Sequence, residues 1–423
     1  MTYAEAIVYL YQCAPAFHQV GSGAYKEGLS NTLALDEHFG HPHQQYRTIH
    51  VTGTNGKGSC SHTLAAILQS AGYKVGLYTS PHLVDFCERI RINGTPIDKH
   101  YVTSFIEKER SFFEPLHPSF FEVTTALAFR FFADEQVDVA VIEVGLGGRL
   151  DCTNIIHPDL SIITNISLEH TSLLGDTLQK IAFEKAGIIK ADTPIVIGEV
   201  LYETRPVFLE KAADMHAPIL FAEEEDMDNL DERIALFQLR GDYQQKNART
   251  ILTAVSQLQK SGYDILDANI DEGFAHVCDL TGLMGRWQQL RQSPTVICDI
   301  GHNPGGLKEI TRQLSHQAYA TLRIVLGFVN DKDVRPALSS MPADAQYYIT
   351  SPSVSRALPA HQLYALARCY GLDAREYPTV AEAVRAALSE ASADDFIFIG
   401  GSNFVVADLL SHKDCLTCHQ TKE

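Results

Sequence analysis

The stretch TIHVTGTNGKGS, Thr48 to Ser59, constrains this chain more than any other. An apolar run ending at Val51 enters a tight glycine turn. The stretch Ser59 to Ser70, with Leu64, Ala65, Ile67 and Leu68 at helical spacing, then predicts a helix with one packed face. Strand, glycine loop and helix in this order resemble a phosphate cradle, although the common form is G-x-x-x-x-G-K-[ST]. Here Gly53 stands three residues before Gly56, and Gly58 separates Lys57 from Ser59. The backbone N–H groups of Gly56, Lys57 and Gly58 would meet a phosphate at the helix N-terminus, where the helix dipole also favours negative charge. Lys57 would reach the outer phosphates and the Ser59 hydroxyl a magnesium ion. A turn that merely connects two elements needs neither the lysine nor the serine.

Short, continuously apolar runs recur with helical stretches between them: Val137 to Val144, Leu160 to Ile166 and Ile195 to Gly198. Such runs fit strands buried on both faces, so the expected fold is α/β, a mostly parallel sheet flanked by helices. Ligands of such sheets gather at the carboxyl ends of the strands, where the cradle, Glu143 and Asn165 all fall. A second series follows: Thr295 to Ile300, Leu322 to Gly327, Gln346 to Thr350 and Phe396 to Gly400, with helical stretches at Leu307 to Leu314, Ala360 to Cys369 and Val380 to Ala391. It predicts a smaller Rossmann-like domain. Two domains suit 423 residues, and they are expected at 1–292 and 293–423, with the polar turn near Gln292 to Pro294 as the linker.

A formal charge of -18 argues against nucleic acid and anionic membranes as partners, so any bound anion must be held locally. The start MTYAEAIVYLYQ carries Glu5 and no basic region, unlike a secretory signal, and no apolar run approaches the ~18 residues of a membrane span. Nine cysteines, an odd and scattered set, fit reduced thiols and a cytoplasmic location. Cys415, Cys418 and His419 match the haem-attachment spacing C-x-x-C-H, but that chemistry needs export, so a chance match or an adventitious metal site is the reading. The acidic run Glu223 to Asp228 reads as a solvated loop.

Three residues outside the cradle carry candidate chemistry. Glu143 ends a buried strand in EVGLGGRLD, and its carboxylate suits magnesium, which prefers hard oxygen ligands; a glutamate solvated at the sheet edge is the alternative. His170 follows the next strand and could bind metal, contact phosphate or be structural. Lys185 ends a helical stretch beginning near Leu178, where a cation complements the helix dipole.

Together GTNGKGS (Gly53 to Ser59), TSPHLVDFCERI (Thr79 to Ile90), IEVGLGGRLDCTN (Ile142 to Asn154), EKAGIIK (Glu184 to Lys190) and DIGHNP (Asp299 to Pro304) resemble folylpolyglutamate synthase / dihydrofolate synthase, within the Mur-type ATP-dependent amide ligases. The resemblance runs from about residue 20 to 408, and the shortened loop with Gly58 is the form this group uses. It implies that Gly53, Thr54, Asn55, Gly56, Lys57, Gly58 and Ser59 hold the ATP triphosphate. It also implies that Ser59 and Glu143 bind one magnesium ion, that His170 binds a second, and that Lys185 is carried as a carbamate. Asn247, in the segment Gly241 to Ala248, matches a nucleotide contact, although Tyr243 stands where the family has histidine. Arg286 matches an ATP-phosphate contact despite Met284 in place of proline, and Asp299 and His302 match the second domain's nucleotide-facing pair, which places ATP between the domains. Glu169 stands where the family often has aspartate. Ser80, Pro81, His82 and Arg89 resemble the mobile loop near the folate, while Phe121 and Asp151 match pterin-side contacts.

The implied activity is an amide ligase. A carboxylate of 7,8-dihydropteroate or of a reduced folate attacks the γ-phosphate of ATP, and the amino group of L-glutamate displaces phosphate from the resulting acyl phosphate. A monomer is expected. The rivals are another Mur-type ligase with a different acceptor, which normally carries a further domain before the cradle, and a nucleotide-binding regulatory module without turnover.

Overall fold

The computed structural model describes residues 1–13, 28–227, 229–330 and 334–417. Cys418 and His419 of the C-x-x-C-H match lie outside this set, as do Asp331 to Asp333 and Asp228. The chain divides into two units: one comprises Met1–Gln238 and Tyr243–Leu283, the other Leu239–Asp242 and Met284–Glu423.

The first unit is built on an eight-stranded sheet, β1 (Arg47–Thr52), β2 (Val75–Tyr78), β3 (Ile90–Ile92), β4 (Thr95–Pro96), β5 (Val139–Glu143), β6 (Leu160–Ile163), β7 (Ile195–Ile197) and β8 (Ile219–Phe221). The order is β4-β3-β2-β5-β1-β6-β7-β8. From β2 to β8 every pairing is parallel, while β3 and β4 add antiparallel edges. The central strands are buried along their length because helices cover both faces, which is why they read as mostly apolar runs. One face carries Tyr78, Phe129, Phe132 and Ile142; another cluster gathers Ile163, Ile181, Ile197 and Phe208.

The helix after the cradle runs Lys57–Ser70, starting two residues before the expected Ser59, and is buried from Gly58 to Leu68. It is enclosed rather than one-sided: a Cβ at Gly273, on the helix Asp267–Ala275, would stand 2.7 Å from the Ile67 backbone. That close approach fixes the helix behind the loop.

The second unit holds a six-stranded sheet ordered β13-β12-β11-β14-β10-β9. Its strands are β9 (Gln288–Gln292), β10 (Thr295–Cys298), β11 (Leu322–Leu326), β12 (Gln346–Ile349), β13 (Asp373–Glu376) and β14 (Phe396–Gly400). All pairings are parallel except β9 against β10. Here the expected organisation needs correction. The turn at Gln292 to Pro294 is no linker; it joins β9 to β10 within one sheet, so the unit begins at Met284 and not at 293. The four residues Leu239–Asp242 also belong to it. Among the described residues no helix is long and apolar enough to cross a membrane.

Candidate functional site

The loop leaving β1 is shaped by contacts that only glycine permits. A Cβ on Gly53 would lie 1.8 Å from the Thr164 hydroxyl oxygen. Gly56 sits at φ 86 in the left-handed region, and a Cβ there would lie 2.3 Å from Asn247 Oδ1. The segment following β6 ties the loop down: Thr164 Oγ1 donates to the Asn55 carbonyl at 2.5 Å, the Asn55 N–H to Asn165 Oδ1 at 2.9 Å, and the Thr54 N–H to the Asn165 carbonyl at 3.0 Å. Gly56 is the N-cap of the Lys57–Ser70 helix and offers no side chain to its first N–H groups. A helix start left open in this way is a site for an anion. Lys57 folds back along its own loop, its Nζ donating to the carbonyls of Gly53 at 3.1 Å and Thr54 at 3.3 Å.

Glu143 lies opposite Val51 in the β1–β5 register, so it leaves the sheet at the same end as the loop. It is 4% exposed, and its Oε2 accepts from the Ser80 N–H at 3.0 Å. The Ser59 hydroxyl oxygen accepts from Gln244 Nε2 at 3.2 Å, and Asn247 Nδ2 in turn donates to Gln244 Oε1 at 2.7 Å. His170 is half-buried at φ 51, preceding the short helix Thr171–Leu174. Among the described residues no three His, Cys, Asp or Glu side chains form a metal cluster. A buried carboxylate and a hydroxyl are the partial oxygen set that a phosphate-bound magnesium completes, so the donors fit that ion.

Lys185 does not act as a cap for its helix, Leu178–Ala186. It is 4% exposed and its Nζ donates to the Gly53 carbonyl at 2.7 Å, the same oxygen that Lys57 approaches. Burial, reinforced by the charge of Lys57, brings its pKa down to about 7. Two glycines allow the helix to sit here: a Cβ on Gly148 would stand 2.9 Å from the carbonyls of Glu184 and Lys185, and one on Gly187 2.3 Å from Arg149 Cα. Gly187 has φ -60, so helix propensity alone would favour alanine there by about 1 kcal/mol. Overpacking against rigid backbone outweighs that gain. Gly187→Ala is expected to destabilise the protein by about 2 kcal/mol, read as a lowered urea midpoint; an unchanged or raised midpoint would contradict the contact.

The residues expected near the acceptor fall in two groups. Ser80 and Pro81 are joined by a cis peptide, and Arg89 Nε donates to His82 Nδ1 at 2.7 Å. Arg89 is 3% exposed, and burial lowers its pKa. Phe121, half-buried, stacks on Tyr78 at 5.8 Å and lies against Gly145, where a Cβ would meet its ring at 2.4 Å. Asp151 is interior: Oδ2 accepts from the Leu146 N–H at 2.8 Å, and Oδ1 from the Thr153 N–H at 3.0 Å and the Thr153 hydroxyl at 2.5 Å. Burial raises its pKa, and these hydrogen bonds oppose the rise.

In the second unit, Asp299 accepts from the Trp287 N–H and the Gly301 N–H, each at 2.7 Å, one on each oxygen. This carboxylate therefore braces the turn that carries Arg286, which is flanked by Gly285 at φ 70 and Trp287 at φ 45. His302 Nδ1 lies 3.0 Å from the Ile300 carbonyl. Sequence reasoning assigned no role to Thr164 or to Gln244, although Gln244 stands within the segment that resembles the family's. Gln244 was open to detection, since it lies one helical turn before Asn247; Thr164 was not, because its contact to Gly53 depends on how β1 and β6 pair.

A glycine-lined helix start, a carboxylate at the neighbouring strand end and a second Rossmann-like unit define a Mur-type ligase architecture. Residues 51–249 match the Mur ligase middle domain and residues 285–403 the Mur ligase glutamate ligase domain. The folylpolyglutamate synthase of Lacticaseibacillus casei is 33% identical over 85% of this chain and 88% of its own length. A Haloferax volcanii protein described as a probable bifunctional folylpolyglutamate synthase/dihydropteroate synthase is 33% identical over 90% of this chain, which spans only 48% of that relative. The structure of Escherichia coli FolC in complex with DHPP and ADP superposes with TM-score 0.84 at 29% identity, covering 98% of each chain. A Yersinia pestis folylpolyglutamate synthase/dihydrofolate synthase complexed with AMPPNP and Mn ion gives TM-score 0.82 at 27% identity, again over 98% of each. The chain belongs to the folylpolyglutamate synthase/dihydrofolate synthase family.

Proposed function

We propose that this chain joins L-glutamate to a pterin- or folate-borne carboxylate at the expense of ATP. The observation that carries the reading is the open, glycine-lined helix start of Gly53–Ser59 with Lys57 and Lys185 converging on one carbonyl. Backbone N–H groups at Gly56, Lys57 and Gly58 receive the phosphates of ATP, with Lys57 swinging from its loop carbonyls to the outer phosphate oxygens. Asn247, Arg286, Asp299 and His302 serve the nucleotide, Asp299 by bracing the Arg286 turn. Ser59 and Glu143 would hold magnesium and His170 a second ion; bound there, the metal neutralises charge on the transferring phosphoryl group.

The acceptor carboxylate oxygen forms a bond to the γ-phosphorus as the bond to ADP breaks. The glutamate nitrogen then forms the amide as phosphate leaves, and its proton passes to solvent or base. Lys57 and Arg286 stabilise charge that is already present on the phosphates, which is the main demand of phosphoryl transfer. A Lys185 amine with pKa about 7 is substantially neutral at neutral pH, the form that adds carbon dioxide to give a carbamate anion. That anion would replace one of two cations facing the Gly53 carbonyl. Ser80, Pro81, His82 and Arg89 border the acceptor, with Phe121 and Asp151 at its pterin end. These last two favour dihydropteroate as an acceptor beside the reduced folates.

Glutamate-dependent ADP formation, assayed separately with 7,8-dihydropteroate and 5,10-methylenetetrahydrofolate and with product masses read, tests this. Turnover with both defines a bifunctional ligase and turnover with one fixes the acceptor. Tight ATP binding with turnover of neither would overturn the proposal in favour of a regulatory module or another acceptor.

A further inference from the structure

His50 lies at the centre of β1, fully buried, and has no part in the chemistry above. Its Nε2 is 2.9 Å from the Thr153 hydroxyl, and that hydroxyl is 2.5 Å from Asp151 Oδ1. The order of donors along this chain can be worked out. An ionised carboxylate only accepts, so the Thr153 hydroxyl spends its one proton on Asp151. Thr153 must then accept from His50, which fixes the imidazole as the Nε2–H form. His50 Nδ1 is buried with no hydrogen-bond partner, which suits a bare lone pair far better than a buried N–H. The same surroundings exclude the imidazolium: burial, and then the charge of Lys190, push the His50 pKa down to about 3. At neutral pH His50 is thus a neutral donor. Its N–H polarises the Thr153 hydroxyl and strengthens the bond that this hydroxyl gives to the carboxylate.

We infer that His50 is a positioning residue for the acceptor: through Thr153 it fixes the orientation of the Asp151 carboxylate at the pterin end of the acceptor site. This rests on the reading of Asp151 as an acceptor contact. A purely architectural role makes a different demand. Asp151 also caps the short helical turn Cys152–Ile155, and a half-satisfied buried imidazole serves that cap no better than an apolar side chain of similar size.

The test uses the full chain and whichever acceptor the unaltered protein turns over, with KM and kcat measured for acceptor and ATP in His50→Leu, His50→Gln, Thr153→Val and Asp151→Asn. Glutamine can present an N–H near the position of Nε2, and leucine cannot. His50→Leu and Thr153→Val are expected to raise the acceptor KM about tenfold, the effect of weakening a hydrogen bond to a charged group. The ATP KM and kcat should stay within about twofold, and His50→Gln should recover most of the acceptor affinity. If Asp151→Asn raises the acceptor KM while His50→Leu and Thr153→Val leave it unchanged, the relay is overturned and the acceptor site stands. If Asp151→Asn leaves it unchanged, the acceptor reading fails and the relay with it. Should His50→Leu not fold, Thr153→Val and His50→Gln decide the matter alone, since equal loss in both would show that the donor is irrelevant.

Discussion

Replacing Lys57 by alanine is expected to lower glutamate-dependent ADP formation by about a thousandfold. Its ammonium rests on the Gly53 and Thr54 carbonyls at 3.1 and 3.3 Å, contacts that any polar solvent could supply. They hold the cation in the loop without committing it strongly, so it can transfer to phosphate oxygens of greater charge. The open helix start remains in Lys57→Ala, and nucleotide affinity should therefore fall much less than kcat. Steady-state rates set beside ADP titrations separate the two quantities. Activity within about tenfold of the unaltered protein would remove Lys57 from phosphoryl transfer.

The second large effect concerns Lys185. Its ammonium is buried and shares the Gly53 carbonyl with Lys57; burial first, and then the charge of Lys57, depress its pKa to about 7. Lys185→Ala is expected to reduce turnover about a hundredfold or more, with partial recovery on adding a short carboxylic acid that can occupy the vacated volume as an anion. Lys185→Arg keeps a cation that cannot take up carbon dioxide and should stay inactive. Scrubbing carbon dioxide should slow the unaltered enzyme and bicarbonate restore it; rates indifferent to both would exclude the carbamate. Stability gives an independent reading for the unmodified lysine. Between about pH 7 and the ordinary lysine value of 10.5 the unfolded chain binds the proton and the folded chain does not, so stability should rise with pH across that window.

Much of the fold was legible in the sequence, and the reasons differ by element. Val139–Glu143 and Leu160–Ile163 announced themselves because both faces are covered, so apart from the terminal Glu143 their positions are apolar or, like Ser161, small and hydrogen-bonded in the interior. β9, with sequence QQLRQ, was read as the approach to a linker because an edge strand with one open side needs no apolar pattern. β13, DARE, was missed for the same reason. In the site, the Gly53–Ser59 loop could be read locally, since helix start, lysine and serine are consecutive. The position of Lys185 could not. Local reasoning gave it a dipole-complementing role at a helix end, and nothing within its own helix signals a carbonyl 132 residues away in sequence. Likewise His50 looks like one more residue of an apolar strand until β1 and the turn at Asp151 are brought together.

The four residues Leu239–Asp242 bear on how such chains can be recombined. They belong to the second unit although both sequence neighbours belong to the first. The Asp242 carboxylate pairs with His316 at 3.1 Å and approaches Arg312 at 3.8 Å, while its N–H donates to Gln313 Oε1 at 2.9 Å. The second unit is therefore not a single cassette of sequence. A chimaera spliced only near residue 284 would combine one parent's Asp242 with the other parent's helix Pro304–Ser315 and its His316 C-cap, and a faithful exchange must carry a distant tetrapeptide along with the main segment.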